Sequence, residues 1–208
     1  MILIGQYDSP FVRRVGIALA LYGLPFRHEP WSVFGNADRI AAYNPLIRVP
    51  TLVLDDGDVL IESHSILDHL DGLVPEAQRL FPVVEPQRRK ALKVAALATG
   101  VAEKAVSLFY EKRLHSQVSD IWTARCTAQI RAGLDALETD AAGRSTLYWF
   151  GDTIGHADIA VAAMLRFVTE AHPGLVDMTD YPALAARAER MEALPVFGTI
   201  CQPFLAPA

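Results

Sequence analysis

Apolar and polar positions change their rhythm partway along the chain. Up to about residue 80 the apolar runs are short and broken by turn residues; beyond residue 86 they recur at helical spacing over long stretches. Residues 1–7 form a short apolar run with turn formers behind it, which predicts a strand. Ser9-Pro10 then opens a helix, because serine is favoured at the N-cap and proline at the first helical position. Phe11, Val12, Val15, Ile17, Ala18, Leu19, Leu21 and Tyr22 give that helix a broad apolar face, and Gly23-Leu24-Pro25 ends it. Residues 26–30 predict a second strand, and strand, helix and strand in this order favour a right-handed parallel crossover. Residues 31–45 are mixed, with a short helix expected over 36–43. Residues 51–54 and 59–61 flank Asp55-Asp56-Gly57-Asp58, a hairpin signature, since Asp and Gly supply the backbone angles of a tight turn. Ser63 starts a helix running to about residue 73.

Three prolines (75, 82 and 86) then oppose helix and strand alike. From residue 87 the period predicts helices at about 87–114, 119–141, 156–171 and 182–194, with loops over 143–155 and 173–181. The pattern therefore predicts an α/β domain over residues 1–76, a linker over 77–86 and an all-helical domain over 87–208. Composition sharpens this division: residues 1–80 hold 6 alanines and residues 86–208 hold 24. A chain of 208 residues that is 51% hydrophobic has ample material for a core, which excludes a disordered protein. No apolar run approaches the roughly 20 residues of a membrane helix. The N-terminal Met-Ile-Leu-Ile-Gly-Gln lacks a basic, signal-like segment, so a cytoplasmic location is expected. A net charge of −5 argues against nucleic acid as a partner. Two cysteines, Cys126 and Cys201, make neither a disulfide framework nor a metal cluster by themselves.

Four motifs carry a resemblance. They are Ser9-Pro10-Phe11-Val12-Arg13-Arg14-Val15; Asn44-Pro45 with Arg48-Val49-Pro50-Thr51-Leu52; Ile61-Glu62-Ser63; and Gly151-Asp152 with Ala157-Asp158-Ile159-Ala160. Each is short, but their order and spacing are specific: 41 residues from Ser9 to Pro50 and 12 from Pro50 to Glu62. Over essentially its whole length the chain resembles the cytosolic glutathione S-transferases, in the serine-dependent group of bacterial and plant tau type. That resemblance implies a thioredoxin-like domain followed by an all-α domain, and a homodimer. It implies glutathione as co-substrate with no tightly bound cofactor, and a small hydrophobic electrophile as second substrate.

The resemblance also implies roles. Ser9 would donate a hydrogen bond to the sulfur of glutathione. A free thiol has a pKa of about 8.5, and lowering it by two units takes about 2.7 kcal/mol of preference for the anion. A charge-assisted hydrogen bond beside a helix N-terminus is of that size. Phe11 belongs to the same glutathione-binding segment. The Val49-Pro50 bond is implied to be cis, turning the Val49 backbone toward the cysteinyl part of glutathione as an added strand would. Glu62 would pair the γ-glutamyl ammonium, and the Ser63 hydroxyl with the helix N-terminus would take the carboxylate. Arg48 and Arg39, with Asn36 behind them, are candidates for the glycyl carboxylate. Val106, Phe109, Tyr110 and Arg113 recur at helical spacing on the first long helix, a region that in the family lines the electrophile pocket or the dimer interface; Trp122 is similar. Arg13 and Arg14 are expected to be structural.

Departures from the family pattern also carry expectations. Ser9 stands where glutaredoxin-like relatives need a cysteine, which disfavours disulfide reduction. Gly155 replaces the usual Ser or Thr helix cap, so a weaker cap over Asp158 is expected. Ile47 replaces a glycine; a β-branched residue resists positive φ, so the loop before Pro50 is expected to change shape. The six histidines are dispersed, and His64 and His69, five apart on one helix, align poorly for a shared metal; no metal site is expected. Two other readings fit the same motifs: a non-catalytic glutathione-binding or protein-interaction module of this fold, and a glutathione-dependent isomerase.

Overall fold

A computed structural model describes residues 1–206. The first domain holds strands β1 (Ile2–Ile4), β2 (Arg27–Glu29), β3 (Thr51–Val53) and β4 (Val59–Ile61), and helices α1 (Pro10–Leu21), α2 (Ala37–Ala41) and α3 (Ser63–Gly72). The sheet runs β2-β1-β3-β4, with β1 parallel to β2 and antiparallel to β3, and β3 antiparallel to β4. This mixed sheet with packed helices is the thioredoxin-like arrangement. The first two strands are shorter than the apolar runs suggest, because Gly5 turns the chain at φ +128 and Phe26 lies outside the ladder.

The second domain is helical: α4 (Gln87–Leu114), α5 (Asp120–Ala142), α6 (His156–Ala171), α7 (Pro182–Glu192) and α8 (Pro195–Thr199). The helix expected over 182–194 is α7, which ends at Glu192; α8, beyond it, is a short helix opened by Pro195 that the pattern does not predict. Alanine does particular work here. Ala91, Ala95, Ala98, Ala102 and Ala105 of α4 are all buried, which lets α5 and α6 approach closely. At Gly133 of α5 even a methyl would be too much, since a Cβ would meet the Val101 side chain at 2.3 Å.

Two polar anchors lock the domains together. Arg13, 2% exposed, donates to Glu192 from both terminal guanidinium nitrogens (2.6 and 2.7 Å) and to the carbonyls of Ile200 and Phe197 (3.0 and 3.1 Å). The second anchor is buried. Asp71 of α3 accepts bonds from Tyr22 and from the backbone N–H groups of Leu80 and Phe81, and His156 of α6 lies 3.3 Å from it. Burial pushes the His156 imidazole below its ordinary range, against the pull of Asp71. For Asp71, burial acts upward, but the bonds from His156 and Tyr22 outweigh it and hold the carboxyl below its usual value.

Asp158, the third residue of α6, reaches back to the Gly155 N–H at 3.0 Å and takes the Trp149 N–H at 2.7 Å. The glycine cap has a steric reason: a Cβ at Gly155 would meet the Leu80 carbonyl at 2.9 Å, where the segment joining the domains passes.

Candidate active site

Between the domains lies a cleft of about 710 Å³. Its first wall is made by the β1–α1 turn and the loop before β3. Gln6, Asp8, Ser9, Pro10 and Phe11 line it from the turn; Leu46, Ile47, Arg48 and Val49 line it from the loop. Val106, Phe109 and Tyr110 of α4 line the facing wall, with Trp122 from α5.

Ser9 is the N-cap of α1, with extended backbone angles (φ −69, ψ 123). Its Oγ accepts the Val12 N–H at a long 3.5 Å. A hydroxyl that accepts from a backbone amide keeps its own proton to donate, and here it can donate into the cleft. Among the described residues, no basic side chain is hydrogen-bonded to Ser9 Oγ that could take its proton. Tyr7, two residues earlier, is the obvious rival phenol, and the structure removes it from contention. It is buried, stacked on His28 at 3.8 Å and outside the cleft lining, and burial pushes its pKa up to about 12.

The Val49-Pro50 peptide is cis. Val49 lines the cleft, while Pro50 is buried behind it. Ile47 does adopt positive φ, +52, so the resistance expected of a β-branched residue is overcome here. The Asn44 side chain explains how the turn is held: it accepts the Leu46 N–H (3.0 Å) and donates to the Arg48 carbonyl (2.9 Å) and to Thr51 Oγ1 (3.1 Å). The loop keeps the glycine-like conformation and the β-branched residue bears it.

Glu62, the N-cap of α3, also has positive φ, +67. It is half-exposed and pairs with Arg48 at 3.1 Å. Ser63 beside it is 2% exposed and accepts a bond from Arg14. Neither Glu62 nor Ser63 is in the cleft lining itself. Of the other cations considered, Arg39 is not in the lining but stacks on Trp31 (4.3 Å), which is. Arg113 is exposed on the last turn of α4 and is not among the lining residues, whereas Val106, Phe109 and Tyr110 are. Burial raises the Tyr110 phenol above its ordinary value.

Several lining residues escape sequence reasoning. Phe34 meets Tyr110 edge-on at 5.4 Å across the cleft. Phe204, in the segment after α8, sits edge-on to both Phe109 (5.1 Å) and Phe167 (5.6 Å). Its N–H donates to Glu170 at 2.9 Å, and the Leu205 N–H approaches Asp8 at 3.4 Å. Burial raises the Asp8 carboxyl, opposed by the backbone N–H groups of Leu205, Ser9 and Asp8 itself. The only sequence signal for this strap is its apolar pair Phe204-Leu205. Among the described residues, no group of three or more His, Cys, Asp or Glu side chains could hold a metal ion, and no helix is long and apolar enough to cross a membrane.

Comparison with known proteins fits this geometry. The family model "Glutathione S-transferase, N-terminal domain" matches residues 3–78, and "Glutathione S-transferase, C-terminal domain" matches residues 120–186. A crystal structure of a glutathione S-transferase from Methylobacterium radiotolerans, in complex with glutathione sulfonate, superposes with a TM-score of 0.89 at 28% identity, covering 100% of this chain and 98% of that one. Glutathione S-transferase U6 of Arabidopsis thaliana is 27% identical over 168 residues, 81% of this chain and 71% of its own length. Maleylacetoacetate isomerase of Rattus norvegicus is 27% identical over 203 residues, 94% of this chain and 89% of its own length.

Proposed function

Since the chain belongs to the glutathione S-transferase family, we propose that it conjugates glutathione to a small apolar electrophile, with Ser9 stabilising the thiolate. The observation that carries this reading is the position of Ser9. It caps α1 at the edge of the cleft, with a hydroxyl proton free to point at a sulfur and an apolar wall facing it. The sulfur would then attack the electrophilic carbon, forming a C–S bond while a halide leaves or a proton is taken up. Val49, beside the cis bond, would pair its backbone with the cysteinyl unit, and Phe11 would pack against it.

Glutathione carries an ammonium and a carboxylate at one end and a second carboxylate at the other. The exposed Arg48–Glu62 pair can trade each other for these groups at little expense, because an exposed ion pair contributes about 1 kcal/mol or less. Glu62 would take the ammonium, Ser63 the γ-glutamyl carboxylate and Arg48 the glycyl carboxylate. Val106, Phe109 and Tyr110 would receive the electrophile. The same reading divides the chain at residues 77–86 and makes it a cytoplasmic homodimer.

The test is titration of the bound thiolate by its ultraviolet absorbance. Ser9→Ala should raise the midpoint by about one to two pH units, the equivalent of about 1.5–3 kcal/mol for one hydrogen bond to a charged acceptor. It should slow conjugation of a chlorodinitrobenzene-type substrate in step. An unchanged midpoint would remove Ser9 from this role. Likeness to maleylacetoacetate isomerase supports a second reading, glutathione-dependent isomerisation of an unsaturated acid. Turnover of such an acid with no net consumption of glutathione would favour it.

A further inference from the structure

Two consecutive arginines of α1 have opposite surroundings. Every part of Arg13 is matched, by Glu192 and two carbonyls. Arg14 is 1% exposed, and its Nη1 donates to Ser63 Oγ at 3.3 Å. Its Nε and Nη2 have no hydrogen-bond partner, and among the described residues no carboxylate forms an ion pair with it. A buried cation without a counter-charge is unfavourable in any folded protein.

The groups around Arg14 do not supply that counter-charge. His64 follows Ser63 on α3 and lies 3.0 Å from Thr99 of α4. Burial, then Arg14 and His156, push its pKa down to about 4. His156 of α6 is also held below its ordinary range, first by burial. Both imidazoles are neutral at pH 7. Arg14 itself, pulled down to about 9 by burial, is still cationic there. Asp71, the nearby acid of the buried network, is already engaged by His156, Tyr22, Leu80 and Phe81.

Ser63 is the first residue of α3, so free N–H groups and the positive end of the helix meet at the same place. An arginine can only donate. When Ser63 Oγ accepts from Arg14, the serine's own proton is left to point elsewhere. We propose that Arg14 is a positioning residue for the γ-glutamyl carboxylate of glutathione: it orients the Ser63 hydroxyl outward and sets a buried positive charge beneath the α3 N-terminus. The missing anion is thus the ligand's. This rests on the glutathione-binding reading above and deepens it.

Two glutathione analogues separate this role from a purely structural one. In one, 4-aminobutyryl replaces γ-glutamyl, which removes the carboxylate and keeps the amine; in the other, glutaryl removes the amine and keeps the carboxylate. Calorimetric affinities are compared for the wild type, Arg14→Met and Arg14→Lys. Arg14→Met should weaken glutathione and the glutaryl analogue by about 10- to 100-fold, the range for a charge-assisted bond. It should leave the 4-aminobutyryl analogue within about twofold of wild type. Arg14→Lys should retain most of the preference for the carboxylate. Equal weakening of all three ligands, or none, would overturn the proposal. Should neither variant fold, the wild type can still overturn the proposal, by binding glutathione and the 4-aminobutyryl analogue with equal affinity. A wild type that binds no glutathione at all removes the glutathione reading itself, a different result from binding without this preference.

Discussion

The wall of the cleft contributed by the first domain is made of turns, a helix cap and a loop with unusual backbone: Ile47 at φ +52 and, just beyond the lining, Glu62 at φ +67. The facing wall is largely one side of α4, an uninterrupted helix of 28 residues. Unfavourable backbone persists where surrounding structure holds it, and it concentrates at sites that must present polar groups in one geometry. The regular helix has no such requirement, since apolar contact is non-directional. One wall is therefore suited to a fixed, highly polar ligand, and the other to a ligand recognised mainly by shape.

The largest test of this contrast concerns what holds the walls in register. Arg13→Met removes a buried fork and leaves Glu192 with Arg166 alone. It should destabilise the fold by about 3 kcal/mol in denaturant titration, the lower end for breaking a buried pair. Beside the first wall, Glu62→Ala should weaken glutathione by about 1.5–2 kcal/mol, near the low end for a charged hydrogen bond because the site is half-exposed. On the second, Tyr110→Ala should raise KM for an aromatic electrophile about tenfold, with glutathione affinity unchanged. If Tyr110→Ala moved both affinities equally, the two walls would not be separate recognition elements.

Acid should loosen the junction between the walls with a shallower dependence. The unfolded chain takes a proton on His156 near pH 6.5, and the folded protein declines it because the imidazole is buried. That contribution is complete above about pH 6.5 and is lost as pH falls below it, by at most about 1.4 kcal/mol per pH unit. Asp71 adds a later loss: its folded value lies below 3.8, so its stabilisation is present above 3.8 and disappears as pH drops further. His156→Phe should flatten the first part of the acid limb. The smallest effect is at Ile47→Gly, which should stabilise by up to about 1 kcal/mol: relief of positive φ is worth about 1–2 kcal/mol, partly offset by the freer unfolded glycine. Destabilisation there would mean that the Ile47 side chain matters more to the first wall than its backbone does.

Much of this architecture is legible in the sequence because local chemistry dictates it. Ser9-Pro10 marks the start of α1, Asp-Asp-Gly-Asp marks the hairpin, and proline marks the start of α7. What stays hidden depends on residues far apart in the chain. Nothing local in Arg13-Arg14 says that one meets Glu192 and the other Ser63. Gly155 reads as a poor cap until Leu80 is seen against it. Ile47 resists positive φ by propensity, but the Asn44 side chain, tied to three partners around the turn, imposes it. Phe204 joins the aromatic wall only because the chain returns after α8 to cross the cleft.

The alanine face of α4 has a consequence for how such a protein can diversify. Ala91, Ala95, Ala98, Ala102 and Ala105 meet the bundle, while Val106, Phe109 and Tyr110 meet the cleft. Mutational change on the cleft side, at the exposed Tyr110 above all, adds or removes bulk in a space already open and spares the alanine face that the other helices pack on. A lineage can thus explore new substrates by exchanging a few side chains along one helix, on the side away from its closest helix contacts.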